Sequence, residues 1–273
     1  MVKSFDMENS KIISFTLNSS FALWKKPDIN EGIYLTYNSI PKPALLGILG
    51  AIIGLGGHTQ AFYSKAKLPE FYTCLNDIKC GIVPVAPNGI FPKTVITYSN
   101  TVGYANKDGN LIVSEQTLLK PQYKIYLLIN DVNAHHKELY DNIRSGRSIF
   151  IPYMGKNDFN AWWLKESFAE HPFTVDKKSK GRKSISTLFI KPASRTVRDD
   201  KIDPFATIID FSSPLAEESY MSFEQLPVGY DDVTYNYAYE DFVFTNHLLS
   251  EDFIAATPDL YYLPEEDFYI QLN

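Results

Sequence analysis

The sequence predicts an α+β protein built around one β-α-β-β-α-β unit. Three observations predict it: a first strand with alternating apolar residues, an apolar helix bounded by prolines and glycines, and a later strand-helix-strand run whose helix has a polar cap. With 273 residues, 45% hydrophobic and 21% charged, the chain has a globular composition rather than a disordered or coiled-coil one. This order of elements is that of the ferredoxin-like (RRM-like) fold.

Local patterns place each element of this unit. Apolar residues alternate with polar ones over 13–17, which is typical of a half-buried strand. Pro43 favours the first turn of a helix over 44–57, because a helix start leaves N–H groups unpaired and proline has none. The remaining elements are strands over 90–99 and 122–129, a helix between Asn133 and Gly146, and a strand over 148–153.

The apolar helix carries a stripe of small residues, Gly47, Gly50 and Gly54. Each glycine weakens a helix by about 1 kcal/mol relative to alanine, so the stripe indicates close approach of another part of a chain. We expect that partner to be a β-sheet, with a ligand chain as the alternative. The helix is shorter than the roughly 20 residues of a membrane span.

We place a domain boundary at about residue 155. Residues 1–155 form the predicted ferredoxin-like domain. Residues 100–119 lie between its two central strands as an inserted hairpin, with a turn over 106–110. Residues 156–273 form a smaller extension that we expect to be rich in β-strands.

Charge is unevenly distributed along the chain. Residues 1–200 carry 25 basic and 17 acidic side chains, whereas residues 201–273 carry 1 basic and 15 acidic side chains. Such asymmetry indicates separate partners: a polyanion for the first part and a protein for the second, with solubility as the alternative for the second. The tyrosines that alternate over 235–239 are better explained by core packing than by base stacking, because the flanking acids repel phosphate.

Two basic clusters are candidates for contact with nucleic acid. Directly after the first strand, Trp24 can stack on a base while Lys25 and Lys26 meet phosphates. A second cluster lies in a loop with Ser and Gly and suits sequence-independent phosphate contact. It consists of Lys177, Lys178, Lys180, Arg182 and Lys183. For both clusters the alternative is a solvated surface.

Four segments carry a resemblance to a known family. They are Phe-Ala-Leu-Trp-Lys-Lys-Pro over 21–27, the run from Tyr37 through Pro-Lys-Pro to the apolar helix, Leu-Leu-Lys-Pro-Gln-Tyr-Lys-Ile-Tyr over 118–126, and Tyr-Met-Gly-Lys over 153–156. Together they resemble the CRISPR-associated RAMP superfamily. Within it the chain is most similar to family five, the Cascade subunit that caps the 5′ handle of crRNA, and is closest to type I-B. The resemblance covers about residues 11–160. Pro43 departs from it, because many relatives carry Thr or Ser there, so a hydroxyl contact is missing.

The resemblance implies a non-catalytic crRNA-binding subunit of an interference complex. It implies that the 5′ handle lies along 24–26 and the start of the apolar helix, and that the 100–119 hairpin is a thumb. Implied neighbours are the backbone subunit that coats the guide and the large subunit that reads the PAM, with target DNA contacted through the complex. No cofactor, metal or membrane contact is implied. The added RNA-binding candidates are Lys42, Ala44, Tyr104, Lys107 and Lys156.

Two other functions stay open. One branch of the family cleaves pre-crRNA without a metal ion, and His58, or one residue of the His135–His136 pair with Tyr140, has suitable acid–base chemistry. The second alternative is a protein-only scaffold whose lysines serve solubility. Cys74 and Cys80 lack the spacing of a metal or redox motif, and we expect the protein in the reducing cytoplasm.

Overall fold

The computed structural model describes residues 9–28, 31–100, 109–175, 182–191, 209–210, 218–231 and 233–273. Within them the chain is a mixed α/β protein with mostly antiparallel sheets and few helices. The strands are β1 (Ser10–Ser19), β2 (Phe21–Ala22), β3 (Ile33–Tyr34), β4 (Lys79–Pro84), β5 (Lys93–Asn100), β6 (Leu111–Leu119), β7 (Gln122–Asn130), β8 (Ala161–Trp162), β9 (Ala169–His171), β10 (Phe189–Ile190), β11 (Met221–Tyr230), β12 (Tyr237–Thr245), β13 (Leu260–Leu263) and β14 (Phe268–Gln271). The helices are α1 (Lys42–Ile52), α2 (His58–Ser64), α3 (Glu70–Leu75), α4 (Ala134–Ser145) and α5 (Glu251–Ala256).

The central sheet has the strand order β4-β7-β1-β8, and β9 also pairs with β1. Every pairing in it is antiparallel, and Phe15 lies opposite Ile125. The strand predicted over 13–17 is confirmed as part of β1: Ile13, Phe15 and Leu17 are fully buried and belong to the main core, while Ile12 is buried on the opposite face of the sheet. The strand predicted over 122–129 is confirmed as β7.

A second sheet contains the segments that we assigned to the centre of the first. The strand predicted over 90–99 is β5, and it pairs with β6 instead of entering the central sheet. Its predicted place is taken by β4, which the sequence patterns did not reveal. The 148–153 segment was also wrongly predicted as a strand: it runs irregularly beside α1, with backbone hydrogen bonds from Ile149 and Phe150 to the last turn of that helix.

The two main helices differ in how well their ends were predicted. The limits of α4 are confirmed: the Asn133 side chain accepts the N–H groups of His135 and His136, and Gly146 adopts the left-handed conformation after the last turn. In α1 the proline start is confirmed, but the helix ends at Ile52, five residues before the predicted end at Gly57.

The glycine stripe of α1 packs against side chains of a helix and a loop, so the prediction of a sheet partner is wrong. A Cβ at position 50 would lie 2.4 Å from the Cβ of Phe71 in α3. A Cβ at Gly54 would lie 2.8 Å from Ile149. The sheet contacts the other side of α1, through larger residues such as Leu45 and Leu49.

Residues of the predicted extension over 156–273 complete the main core. Leu188, Leu226 and Phe244 belong to the same buried cluster as Ile13 and its neighbours. The hairpin β13–β14 covers the opposite face of the central sheet through a second cluster. The domain boundary near residue 155 stays a prediction. In the part of the chain that the structure describes, no helix is long and apolar enough to cross a membrane.

Candidate nucleic-acid interface

A groove of about 570 Å³ runs along one face of α1, from Pro41 to beyond its C-terminal end. One wall is the loop from Leu23 to Pro27, and a second is the segment from Phe150 to Gly155. Tyrosines at the ends of β11 and β12 form another part of the lining, and the start of α2 lies at the far side. Three of the four segments that carried the family resemblance contribute to this groove.

Small residues of α1 form the floor of the groove. Ala44, Gly47 and Ala51 line it at spacings of three and four residues, which places them on one face of the helix. Their small side chains leave a shallow surface over which a bulky group can lie. Among the residues that we predicted, Ala44 therefore does lie at the groove.

The loop from Leu23 to Pro27 is fixed by backbone hydrogen bonds on both sides. The Leu23 N–H donates to the carbonyl of Met154 (3.2 Å), and the Lys26 N–H donates to the carbonyl of Leu35 (2.9 Å). The Trp24 carbonyl accepts the Tyr37 N–H at 2.9 Å. The position of the lysines is therefore set both by residues about ten positions later in the chain and by Met154, which lies far along it.

Trp24 lines the groove but is largely buried, so little of its ring is available to a base, and its stacking role stays a prediction. Its side chain is 4% exposed and belongs to the main core. Its ring N–H donates to the hydroxyl of Tyr123 (3.2 Å), which in turn donates to the Asn38 carbonyl (2.6 Å). Burial of the indole anchors the loop and leaves its neighbours to meet a ligand.

Lys25 and Lys26 remain available to an anion. Lys25 is exposed and lines the groove, with its Nζ 3.5 Å from the centre of the Tyr34 ring. Lys26 is half-buried, and its Nζ lies 5.0 Å from the centre of the Tyr37 ring. Among the described residues neither lysine forms a salt bridge.

Lys42 points away from the groove, and its role as a phosphate contact stays a prediction. Its Nζ donates to the backbone carbonyl of Asn273 at 2.8 Å, beside Cys80 and Ile82 on the sheet side of the molecule. Each residue of an α-helix is rotated by about 100° from the one before it. Lys42 and Ala44 are two positions apart, so their side chains point about 200° apart and face different surroundings.

Lys156 forms a salt bridge, and its role as an RNA contact stays a prediction. Its Nζ lies 2.5 Å from a carboxylate oxygen of Glu115 and 3.3 Å from the hydroxyl of Tyr98. Glu115 is 6% exposed. The lysine therefore neutralises a buried acid and joins the 153–159 segment to the β5–β6 hairpin.

The remaining candidates lie away from the groove or outside the described residues. The Arg182 backbone N–H donates to a carboxylate oxygen of Asp267, and the Lys183 Nζ lies 6.0 Å from the ring centre of Tyr269. Neither residue lines the groove. The candidates that fall outside the described residues are Tyr104, Lys107, Lys177, Lys178 and Lys180.

The sequence reasoning missed the tyrosines of the acidic region 201–273 as groove residues. Tyr230 and Tyr237 line the groove, and the three tyrosines over 235–239 are 37–39% exposed. The prediction that these residues pack in the core is therefore wrong. Their alternation was a usable signal, but the acidic flanks led us to the opposite interpretation.

Tyr37 joins this tyrosine group to the lysine loop. It lines the groove, and its side chain forms a hydrogen bond with Tyr239. Burial, followed by that hydrogen bond, raises the pKa of Tyr37 above its ordinary value. Its hydroxyl therefore stays neutral at physiological pH and adds no negative charge that would repel phosphate.

The candidate histidines occupy different places. His58 lines the groove and packs edge-on against Phe71, with ring centres 5.7 Å apart. His136 is fully buried; its Nδ1 accepts the Asn130 N–H at 3.1 Å and its Nε2 lies 3.4 Å from Asp77. In the described ranges, no three His, Cys, Asp or Glu residues form a group that could hold a metal ion, and the expectation about metals stays a prediction.

No family model matches the sequence, and no curated protein does. Solved structures of CRISPR-associated proteins are similar to most of the chain. A chain of a CRISPR RNA-guided surveillance complex has 12% identity and a TM-score of 0.42, covering 87% of this chain and 91% of that one. A chain of a Type III-B Cmr-beta complex bound to cognate target RNA and AMPPnP has 11% identity and a TM-score of 0.48, covering 96% and 99%. A CRISPR protein from Archaeoglobus fulgidus has 10% identity and a TM-score of 0.40, covering 95% and 97%. At these identities and TM-scores the structural similarity does not indicate a function. The functional argument therefore rests on the residues of the groove.

Proposed function

We propose that this protein is a crRNA-binding subunit of a CRISPR interference complex and that it holds the 5′ end of the RNA without breaking a bond. The observation that carries the proposal is the position of Lys25 at a groove lined by aromatic rings. Proteins that hold single-stranded nucleic acid combine cations for the backbone with aromatic faces for the bases. The groove offers both.

The start of α1 adds to this chemistry. Pro41 precedes the helix without a side-chain cap, and the first backbone hydrogen bond of the helix runs from Leu45 to the Pro41 carbonyl. Ala44 therefore presents its N–H at the positive end of the helix dipole, beside the groove. Together with Lys25, this end of the groove suits a phosphate group.

The finer assignment is a type I complex, with the role of family five and with a backbone and a large subunit as neighbours. It rests on the four segments that resemble this family. The ferredoxin-like topology that the assignment requires is supported by the antiparallel strand order β4-β7-β1-β8 and by α1 and α4, whose buried residues share one core with β1 and β7. The thumb role of residues 100–119 is supported by the long antiparallel pairing of β5 with β6.

The metal-independent endoribonuclease remains a second candidate because His58 lies at the groove. The alternative set of His136 with Tyr140 loses support. His136 is fully buried, and the Tyr140 hydroxyl donates to Glu170 at 2.6 Å. Of the candidate histidines, His58 lies at the groove, while His135 is half-buried on α4 and does not line it.

One experiment separates these functions. The purified protein is mixed with repeat-derived RNA in EDTA, and binding and RNA integrity are measured across a salt series. Salt-dependent binding of intact RNA supports the proposal. Cleavage that disappears in His58→Ala replaces it with the endoribonuclease, and absence of binding at every salt concentration favours the scaffold.

A further inference from the structure

We propose that Tyr230 and Tyr237 form a stacking platform for a base of the bound single-stranded RNA. This inference rests on the proposed function and adds to it a subsite in the acidic part of the chain. The platform lies in the same groove as Lys25, so one RNA segment can meet both.

The geometry of the platform comes from strand pairing. Tyr230 ends β11, Tyr237 begins β12, and the two residues lie directly opposite each other in the antiparallel ribbon. Their rings stack, with centres 5.1 Å apart and planes 22° apart. Tyr237 is 39% exposed, so part of this stacked pair stays open to a third flat group.

The platform is held rigidly before any ligand arrives. The Tyr230 N–H donates to the hydroxyl of Tyr72 (3.0 Å), and the rings of these two tyrosines meet edge-on with centres 4.8 Å apart. Gly229 allows this contact, because a Cβ there would lie 2.8 Å from the Tyr72 hydroxyl. A preformed surface loses little conformational entropy on binding, which favours affinity.

Charge decides which part of the RNA meets the tyrosines. Asp231 follows Tyr230, and its carboxylate accepts the N–H groups of Val233 and Thr234 and the Thr234 hydroxyl. The acid keeps its negative charge, since these hydrogen bonds lower its pKa. A phosphate is repelled here, whereas a neutral base is not, so the base lies on the tyrosines and its phosphate lies towards Lys25.

Size and charge together favour RNA over an apolar peptide. The volume of about 570 Å³ falls within the range of about 300–1,000 Å³ that is typical of small-ligand sites, so a nucleotide-sized group fits. Lys25 and Lys26 have no carboxylate partner within salt-bridge distance among the described residues. Unpaired cations beside aromatic faces complement a phosphate with its base, whereas an uncharged peptide leaves them unused.

The test uses a single-stranded oligoribonucleotide with 2-aminopurine placed at each position in turn. With the wild-type protein we expect quenching of the fluorescence at one or a few positions. Tyr237→Ala should abolish that quenching and weaken binding about 5- to 150-fold, the equivalent of about 1–3 kcal/mol for one stacked base. Tyr237→Phe should retain both, because only the hydroxyl is lost.

Two comparisons make the result specific. Tyr237→Leu keeps apolar bulk without an aromatic face, so it should behave like Tyr237→Ala even if the alanine variant is less stable. Tyr63→Ala removes a 79% exposed tyrosine of α2 that does not line the groove, and it should bind like the wild type. The salt dependence should be the same in Tyr237→Ala as in the wild type, since no phosphate contact is removed.

The outcomes separate this inference from the function on which it rests. If the wild-type protein binds no RNA, the proposed function fails. If it binds RNA but Tyr237→Ala and Tyr237→Leu keep full affinity and quenching, the platform is overturned while RNA binding stands. An interface with a partner protein would then be the explanation for the exposed tyrosines.

Discussion

Gly155 lies directly against the backbone of Leu23. A Cβ at position 155 would lie 1.9 Å from the Leu23 carbonyl oxygen, and Gly155 has a φ of +87°, which other residues rarely adopt. The Leu23 N–H donates to the carbonyl of Met154. This contact joins two walls of the groove, so a glycine outside the basic clusters positions the lysine loop.

We expect Gly155→Ala to destabilise the protein for two reasons. A positive φ at a residue other than glycine costs about 1–3 kcal/mol, and the clash with Leu23 adds to that cost. Thermal or urea unfolding measures the change. Gly32→Ala is the matched control, since Gly32 has a φ of +71° with nothing within 4 Å of its Cβ position. Equal destabilisation in both variants would contradict the role of the Leu23 contact.

Substitution by alanine should change the stability of the protein in opposite directions at Gly47 and at Gly50. A Cβ at Gly50 would lie 2.4 Å from the Phe71 Cβ, so Gly50→Ala should destabilise by about 1–3 kcal/mol through overpacking. A Cβ at Gly47 would lie 3.6 Å from Phe71, an ordinary contact, so Gly47→Ala should stabilise by up to about 1 kcal/mol through helix propensity. The difference in unfolding midpoint tests both, and a shift of the same sign in the two variants would argue against close packing of α1 on α3.

Lys156→Ala should lower stability and leave RNA affinity unchanged. The change strips Glu115 of its cation, and a buried polar group without a partner typically costs about 1–3 kcal/mol, more when it is charged. Combining Lys156→Met with Glu115→Gln should recover much of the loss, because no buried charge remains. Urea unfolding and filter binding provide the two readouts. If Lys156→Ala bound RNA more weakly while its stability was unchanged, Lys156 would be an RNA contact rather than a structural residue.

Lys25→Ala combined with Lys26→Ala should weaken RNA binding at low salt and flatten its salt dependence. If both lysines contact phosphates, the magnitude of the slope of log K against log[salt] should fall by about 1.4, at about 0.7 per phosphate contact on a single strand. The control combines Lys137→Ala with Lys165→Ala, two exposed lysines that do not line the groove. A slope equal to that of the wild type would remove the lysine loop from the interface.

The ionisation of Glu224 should lower the free energy of unfolding as the pH rises above the pKa that this carboxyl has in the unfolded chain. Burial raises the pKa of this carboxyl from the ordinary 4.5, although its oxygens accept the Asn38 and Ser39 N–H groups at 2.7 and 2.9 Å. As the pH rises, the carboxyl loses its proton in the unfolded chain at a lower pH than in the folded chain. Each rise in pH between the two pKa values therefore favours the unfolded state. The stability of the wild type relative to Glu224→Gln should therefore fall with rising pH, from about 4.5 upwards. Chemical unfolding across pH measures this difference, and a relative stability that rises with pH would contradict it.

Much of the local structure could be predicted from the sequence. Alternation identified β1 and β7, and the side chain of Asn133 with the conformation of Gly146 set the limits of α4. These features depend on residues close together in the chain, where the side-chain period and the unpaired groups of helix ends leave few options. Lys25 at the groove was identifiable for the same reason, because it and Lys26 occur together in one short loop.

Long-range packing decided the rest. Only the folded chain shows that Lys42 reaches Asn273, that Lys156 meets Glu115, and that Trp24 is buried. Burial and pairing are relations between distant segments, and a residue's type limits its possible partners without selecting among them. The sequence by itself determined which chemical groups the protein carries and where its best-marked strands and helix ends lie. Tertiary structure alone decided which lysines of the described ranges form salt bridges, and it brought Tyr237 into the same groove as Lys25.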